Sequence, residues 1–187
     1  MEYLDIRTKD GKKTGNIKER EKIHEDGDIH GTSHVWIVRE NEEGEYELLL
    51  QKRSENKDAY PGCYDISSAG HIPVGQDYLS SAIRELYEEL GIEAREEELV
   101  FLGIHEGYSE EIFYGKPFKN HEISYVYLYE QPIDITKLCL QESEVQSVKW
   151  MPLSKCYEKA KNKNPNYCLF IEELDMIQKY YMENKKE

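Results

Sequence analysis

Residues 77–91 sort apolar and acidic positions onto separate faces. Leu79, Ala82, Ile83, Leu86 and Leu90 recur at spacings of three and four, an apolar stripe along one side of an α-helix. Glu85, Glu88 and Glu89 stand at i, i+3 and i+4, so they share a face. Asp77 precedes the pattern as an N-cap, and Gly91 follows it as a stop. Elsewhere the pattern is that of strands, at residues 34–38, 46–53, 99–104, 121–129 and 145–151. A loop at Tyr60-Pro61-Gly62 leads into a further extended stretch at 64–69. Residues 1–30 read as an extended arm, with 3–6 and 14–17 flanking a hairpin turn at Asp10-Gly11. Helical spacing returns at 153–161 and at 167–182, where Phe170, Leu174, Ile177 and Tyr181 recur.

Strands before, between and after helices predict an α/β (α+β) sandwich with a mixed sheet. The expected organisation is one domain over residues 1–187, with the arm at 1–30 and the C-terminal helices within 153–187. Three clustered carboxylates repel one another by about 0.2–0.5 kcal/mol per pair on a helix surface. A hard divalent cation bound through carboxylate oxygens turns that repulsion into binding. The helix therefore reads as a structural element that doubles as a metal platform.

Charge and composition narrow the chemistry. A net charge of −14 disfavours a nucleic-acid polymer, whose binding draws on phosphate neutralisation, but leaves room for a small phosphorylated ligand met by local cations and metal. No apolar run of 18 residues and no signal-like N-terminus are present, so no membrane association is expected and the location expected is cytoplasmic. Cys63, Cys139, Cys156 and Cys168 lack metal-site or disulfide-framework spacing and read as reduced thiols. The tail ENKKE reads as solvated surface.

Gly70, Arg84, Glu85, Leu86, Glu88, Glu89, Gly91 and Ile92 stand in the register of the Nudix box, which residues 70–92 resemble. Gln76 stands where that family usually has glutamate. The resemblance implies a Nudix-like α/β/α sandwich, here with an N-terminal β-hairpin arm, and hydrolysis of a diphosphate linked to another moiety. It implies Glu85, Glu88 and Glu89 as metal-binding and base carboxylates on Mg²⁺ or Mn²⁺, with Arg84 holding the box together through ion pairs. Gln76 removes one charge from that pattern and leaves the metal complement open.

Outside the box the chain resembles the isopentenyl-diphosphate isomerase-like branch. The matching residues are His24, His30, Trp36, the run 48–54, Lys57, Pro61-Gly62, Gly70-His71 and Glu122. True isomerases carry a cysteine where this chain has Ala69, which transfers no proton. Their metal ligands fall on His24, His30, His71 and Glu122, a candidate second metal site, while a fifth falls on Asn120. Hydrogen-bonded structural histidines are the alternative, and His34 and His105 have still less claim as ligands. Lys52, Arg53 and Lys57 stand where the resemblance implies diphosphate contacts, against surface solvation. Glu142 and Glu144 are candidate auxiliary bases or plain surface carboxylates. Tyr108, Tyr114, Tyr125 and Tyr127 fit either a base-stacking wall or core packing.

The reading that results is a Mg²⁺-dependent Nudix hydrolase acting on a small nucleoside-diphosphate-type substrate. Its rivals are an isomerase-like enzyme and a non-catalytic ligand-binding module. A small-molecule diphosphate is the expected partner, and the arm or the last helix is a candidate for pairing two copies.

Overall fold

The computed structural model describes residues 2–184. An N-terminal hairpin, β1 (Tyr3–Arg7) and β2 (Lys13–Glu19), leads into a short helix α1 (Arg20–Asp26). The strands β3 (Ile29–Glu40), β4 (Tyr46–Arg53), β5 (Tyr64–Asp65) and β6 (Ser68–His71) precede helix α2 (Tyr78–Leu90). A long hairpin follows, β7 (Leu99–Phe113) with β8 (Lys116–Tyr129), then β9 (Val145–Pro152), α3 (Leu153–Lys161) and α4 (Ile171–Asn184). The main sheet runs β5-β4-β3-β8-β7, with β6 joined to β3 and β9 to β4. Only β3 and β8 pair in parallel among the named strands; the sheet is mixed, as expected.

β3 holds two partners in succession. Residues 38–40 pair with β4, and residues 32–35 pair with β6. Where the two partners part, the Ser67 hydroxyl donates to the Leu49 carbonyl at 2.5 Å and accepts from the Ile37 amide at 2.8 Å. Alternation along β3 then divides the core. Val35 and Ile37 pack with Ala82, Leu86 and Leu90 of α2. Trp36 and Val38 pack with Cys156, Leu174 and Ile177 of the C-terminal helices. The result is helices on both faces of a mixed sheet.

The ends of α2 are those the sequence predicts. The Asp77 carboxylate accepts from the Ser80 amide at 2.9 Å, and Gly91 takes the left-handed conformation at φ 71°. The apolar stripe is buried or half-buried throughout.

Two expectations need correction. The arm is not wholly extended: α1 spans seven residues and buries Ile23 and His24, too short a helix to leave a periodic apolar signature. The hairpin β7–β8 runs well past residue 104, because residues 105–120 are held by cross-strand backbone pairing rather than by a buried apolar face. The arm docks on its own domain, with Leu4 fully buried and the Arg7 guanidinium 4.5 Å from the centre of the Tyr78 ring. Residues 185–187 of the ENKKE tail lie outside the described residues. No helix among the described residues is long and apolar enough to cross a membrane.

Replacing Asp77 by alanine removes the only side-chain cap of α2. The expected loss is about 1 kcal/mol of stability, read as a lower urea midpoint with an unchanged slope.

Candidate functional site

A cavity of about 310 Å³ collects side chains from α1, β3, β6, α2, β8 and the loop after β4. Helix α2 brings all three box carboxylates to its wall. Arg84 bridges two of them, with Nη2 2.7 Å from Glu85 and Nη1 2.8 Å from Glu88, and Nη2 also donates to the His71 carbonyl at 3.3 Å. This is the ion-pairing place expected for Arg84. Gly70 faces Glu85 so closely that a Cβ there would stand 2.2 Å from the carboxyl group. Glycine is needed at that position for approach rather than for dihedral freedom.

Glu89 is the deepest of the three, 4% exposed, although helical periodicity alone placed it on the polar face. The Gln51 side chain donates to its Oε2 at 3.0 Å and the Ala69 amide at 3.3 Å. Burial, reinforced by the charge of Glu85, pushes the Glu89 carboxyl up to about 8. Burial raises Glu85 to about 7 against the pull of Arg84. Two neighbouring carboxyls thus resist ionisation, an electrostatic deficit that a divalent cation would fill. Gln76 is exposed, its carbonyl accepts from the Ser81 hydroxyl, and it is absent from the cavity wall.

A second cluster adjoins the same cavity, with His24 and His71 on its wall. His24, His30 and His71 present ring nitrogens within 4.8 Å of one another. The Nδ1–H of His24 donates to the Arg20 carbonyl at 2.9 Å, and that of His30 to the Asp28 carbonyl at 3.2 Å. Their Nε2 atoms are buried without a hydrogen-bond partner. Burial holds His24 and His30 down to about 4 and His71 well below its ordinary value, so the rings are neutral and their lone pairs free near pH 7. Glu122 lies 3.8 Å from the His30 Nε2. His24 and His30, held through Nδ1 with Nε2 unpartnered, together with the neighbouring His71 ring are a donor set suited to Zn²⁺ or Mn²⁺. Asn120, also on the cavity wall, keeps its Oδ1 buried and unpartnered.

The expected phosphate contacts divide three ways. Lys57 lines the cavity and forms an ion pair with Glu144, also on its wall. Arg53 lines it too, but Nη1 is bonded to Asp65 at 2.8 Å, and Nε and Nη2 to the Ala59 carbonyl at 3.1 and 2.9 Å. Its fork is therefore committed to shaping the loop. Lys52 is absent from the wall, because strand alternation turns it away from Arg53, and Glu142 is absent as well. Sequence reasoning missed Arg20 and Glu2, both cavity-lining. A signal for Arg20 existed in its place four residues before His24, but it required recognising α1. Of the two readings open for the four tyrosines, the base-stacking wall is not formed, since none lines the cavity: Tyr127 lies in the core with Tyr125 packed against it, and Tyr108 and Tyr114 are 60% and 73% exposed. Tyr60, Phe118 and Phe170 supply the aromatic wall instead.

His34, without a metal role in the sequence reading, reaches a fully buried carboxylate. Glu173 Oε1 accepts from His34 Nδ1 at 2.7 Å and from His105 Nδ1 at 2.9 Å, and Oε2 accepts from the Trp36 indole at 2.8 Å. Burial opposes both charges, yet the pairing raises His34 to about 9 and holds Glu173 down to about 2. His34 and Trp36 stand more than a hundred residues from Glu173 along the chain and His105 stands 68 away, and no local pattern signals the contact.

The NUDIX domain family model matches residues 31–172, and the chain belongs to the Nudix family. It is 42% identical over 170 residues to Nudix hydrolase 3 of Arabidopsis thaliana, covering 89% of this chain and 21% of that protein. An uncharacterized Nudix hydrolase of Clostridium acetobutylicum is 38% identical over 144 residues, 77% of this chain and 66% of that one. The chain thus spans about a fifth of the plant relative and just under two thirds of the clostridial one. A solved structure from Deinococcus radiodurans shares the fold at a TM-score of 0.59 with 16% identity, covering 86% of this chain and 90% of that chain.

The Glu173–His34 pair sets a pH signature for stability. His34 is raised above its unfolded value of about 6.5, so its contribution is full below that pH and fades as pH rises through about 9. Glu173 is depressed, so its contribution is full above about 4.3 and fades as pH falls through about 2. Both are present together between roughly pH 4.3 and 6.5. With chelator present, the Tm gap between wild type and Glu173→Gln should be widest there and narrow above the His34 value. A gap that does not vary with pH refutes the pairing.

Proposed function

We propose that this chain hydrolyses a diphosphate linkage in a small nucleoside-diphosphate-type substrate, with Glu85, Glu88 and Glu89 holding Mg²⁺ or Mn²⁺. The observation that carries this reading is the pair of carboxyls, half-buried Glu85 and buried Glu89, raised to about 7 and about 8 beside Arg84, which bridges Glu85 and Glu88. An unloaded surface would not keep two such groups together; a cation site does. When bound, the metal supplies positive charge to the phosphoryl oxygens that repel an incoming nucleophile. The chain's own residues do the rest. Gln51 and the Ala69 amide hold Glu89 in one orientation, which suits a group that takes a proton from water. Arg84 keeps Glu85 and Glu88 apart and aimed. Lys57 and Arg20 are the cations on the wall to meet the diphosphate, and Arg53 supports the loop that carries Lys57.

His24, His30, His71 and Glu122 hold a second divalent cation in this reading, supported by the unpartnered Nε2 atoms. That cluster is also what favours the isomerase-like alternative. Against it stands Ala69, which brings no proton-transferring group to the wall. A cytoplasmic location accords with four unpaired cysteines.

Glu89→Gln tests the assignment with two opposed readouts. Hydrolysis of a panel of nucleoside diphosphates, sugar nucleotides, dinucleotides and prenyl diphosphates with Mg²⁺, read as phosphate released from terminal diphosphates and as phosphomonoester from the others, should fall by about 100-fold or more. Without metal, Tm at pH 8 should rise, because a buried carboxyl that resists ionisation is replaced by a neutral group. Unchanged hydrolysis would sink the assignment. Allylic product from isopentenyl diphosphate would favour the isomerase-like reading, and binding without product across the panel would favour a non-catalytic module.

A further inference from the structure

We infer that Phe113, at the tip of the β7–β8 hairpin, is a positioning residue that braces Tyr60 and so holds the loop of Lys57 against the cavity; the inference rests on the proposal that Lys57 meets the diphosphate. Tyr60 is the strained point of that loop. It takes φ 49°, in the left-handed region, although it carries a bulky ring and precedes Pro61. A bulky side chain disfavours that region, and a residue before proline favours extended backbone. The turn that follows does not ask for it. Pro61 and Gly62 form the centre of that turn, with the Cys63 amide donating to the Tyr60 carbonyl at 3.3 Å and Gly62 at φ 70°. Such a turn fixes the dihedrals of its two central residues only. The conformation of Tyr60 is therefore held by what surrounds it.

Two grips hold it. Arg53 fixes the preceding residue, donating through Nε and Nη2 to the Ala59 carbonyl. The hairpin supplies the second. The Phe113 and Tyr60 rings meet edge to face, centroids 4.8 Å apart and planes at 68°. The Tyr60 hydroxyl lies 3.5 Å from Ser109 Oγ, and the Tyr114 hydroxyl donates to the Lys57 carbonyl at 3.3 Å. Residues 116–120 of β8 have no partner in β3, so this end of the hairpin is a two-stranded ribbon, marginal by itself. Its tip is nevertheless fixed. Tyr114 and Gly115, at φ 51° and 76°, make the two-residue turn between Phe113 and Lys116. Phe113 also packs on Phe118, which stacks on His24 at 4.3 Å. A row of four rings thus runs from the histidine cluster to Tyr60. Lys57, Ala59 and Tyr60 all line the cavity, so what the row braces is one stretch of its wall.

The test is calorimetric binding of inorganic imidodiphosphate, whose P–N–P bridge resists hydrolysis, to the full chain with Mg²⁺. Phe113→Ala frees the loop to leave its bound conformation, and affinity should fall by about 2- to 10-fold. Phe113→Tyr keeps the ring edge and should bind as wild type does. Phe113→Leu, apolar but without a ring, is the second route should Phe113→Ala not fold, and should weaken binding in the same direction. Tyr60→Gly removes the ring and supplies a residue at ease in left-handed backbone. In that background Phe113→Ala should change affinity no further, because the two side chains act through one contact. Mn²⁺ affinity without imidodiphosphate should be the same in wild type and Phe113→Ala. The bracing role alone is overturned by wild-type affinity in folded Phe113→Ala or Phe113→Leu, by an equal loss in the Tyr60→Gly background, or by a matching loss of Mn²⁺ affinity. Lys57→Ala separates the underlying reading: if it binds imidodiphosphate as wild type does, or if wild type binds none, the loop is not a diphosphate contact and this inference falls with that reading.

Discussion

Everything about the cavity follows from one strand serving two neighbours. β3 gives its upper half to β4 and its lower half to β6 along the same edge, while β8 occupies the other edge in parallel. Where β4 and β6 part, the sheet cannot close, and residues from both of its faces meet in one space. α2 lies on one side of the sheet and the C-terminal helices on the other, yet Glu85 and Phe170 line the same cavity. Ser67 satisfies the backbone groups that the split would otherwise leave unpaired, bonding to both Ile37 and Leu49. The opening is therefore built into the hydrogen-bond ladder.

The buried carboxylates around it are of two kinds, and the contrast locates function. Glu173 is enclosed completely but meets three N–H donors, so it stays ionised and ties α4 to β3. Glu89 is nearly as deep, yet its partners are one neutral amide side chain and one backbone amide, with a like charge close by. The first arrangement is internally complete. The second is complete only with a cation from outside. The histidine cluster repeats the second case with neutral ligands, the Nε2 atoms of His24 and His30 lacking a hydrogen-bond partner among the described residues.

What the sequence made legible was local. Asp77, the apolar stripe and Gly91 define α2 within a few residues, and the spacing of Glu85, Glu88 and Glu89 sets their common direction. The strands of the sheet were equally readable wherever one face is buried. The short helix α1 was not, since seven residues leave no period to read, and Arg20 was lost with it. The commitment of Arg53 to Asp65 and Ala59 was hidden because a guanidinium bound to phosphate and one bound to its own loop look alike in sequence. Glu173 was hidden most thoroughly: an acidic residue early in a predicted helix reads as a favourable surface charge, and only the fold brings His34, Trp36 and His105 to it.

The parallel ladder between β3 and β8 has a consequence for how such a site can diverge. Along β3, Thr32 and His34 line the cavity while Val35 and Ile37 pack on α2, and on the paired strand β8 Glu122 lines it while Ile123 is fully buried. Gaining or losing a single residue within β3 would turn Val35 onto the face of Thr32 and His34, and His34 onto the face that packs on α2. Lineages descended from this chain can therefore explore new ligands by exchanging side chains within these strands, but not by altering their length. The turns at 41–45 and 114–115 lie outside that ladder, so a change of length there leaves the alternation intact.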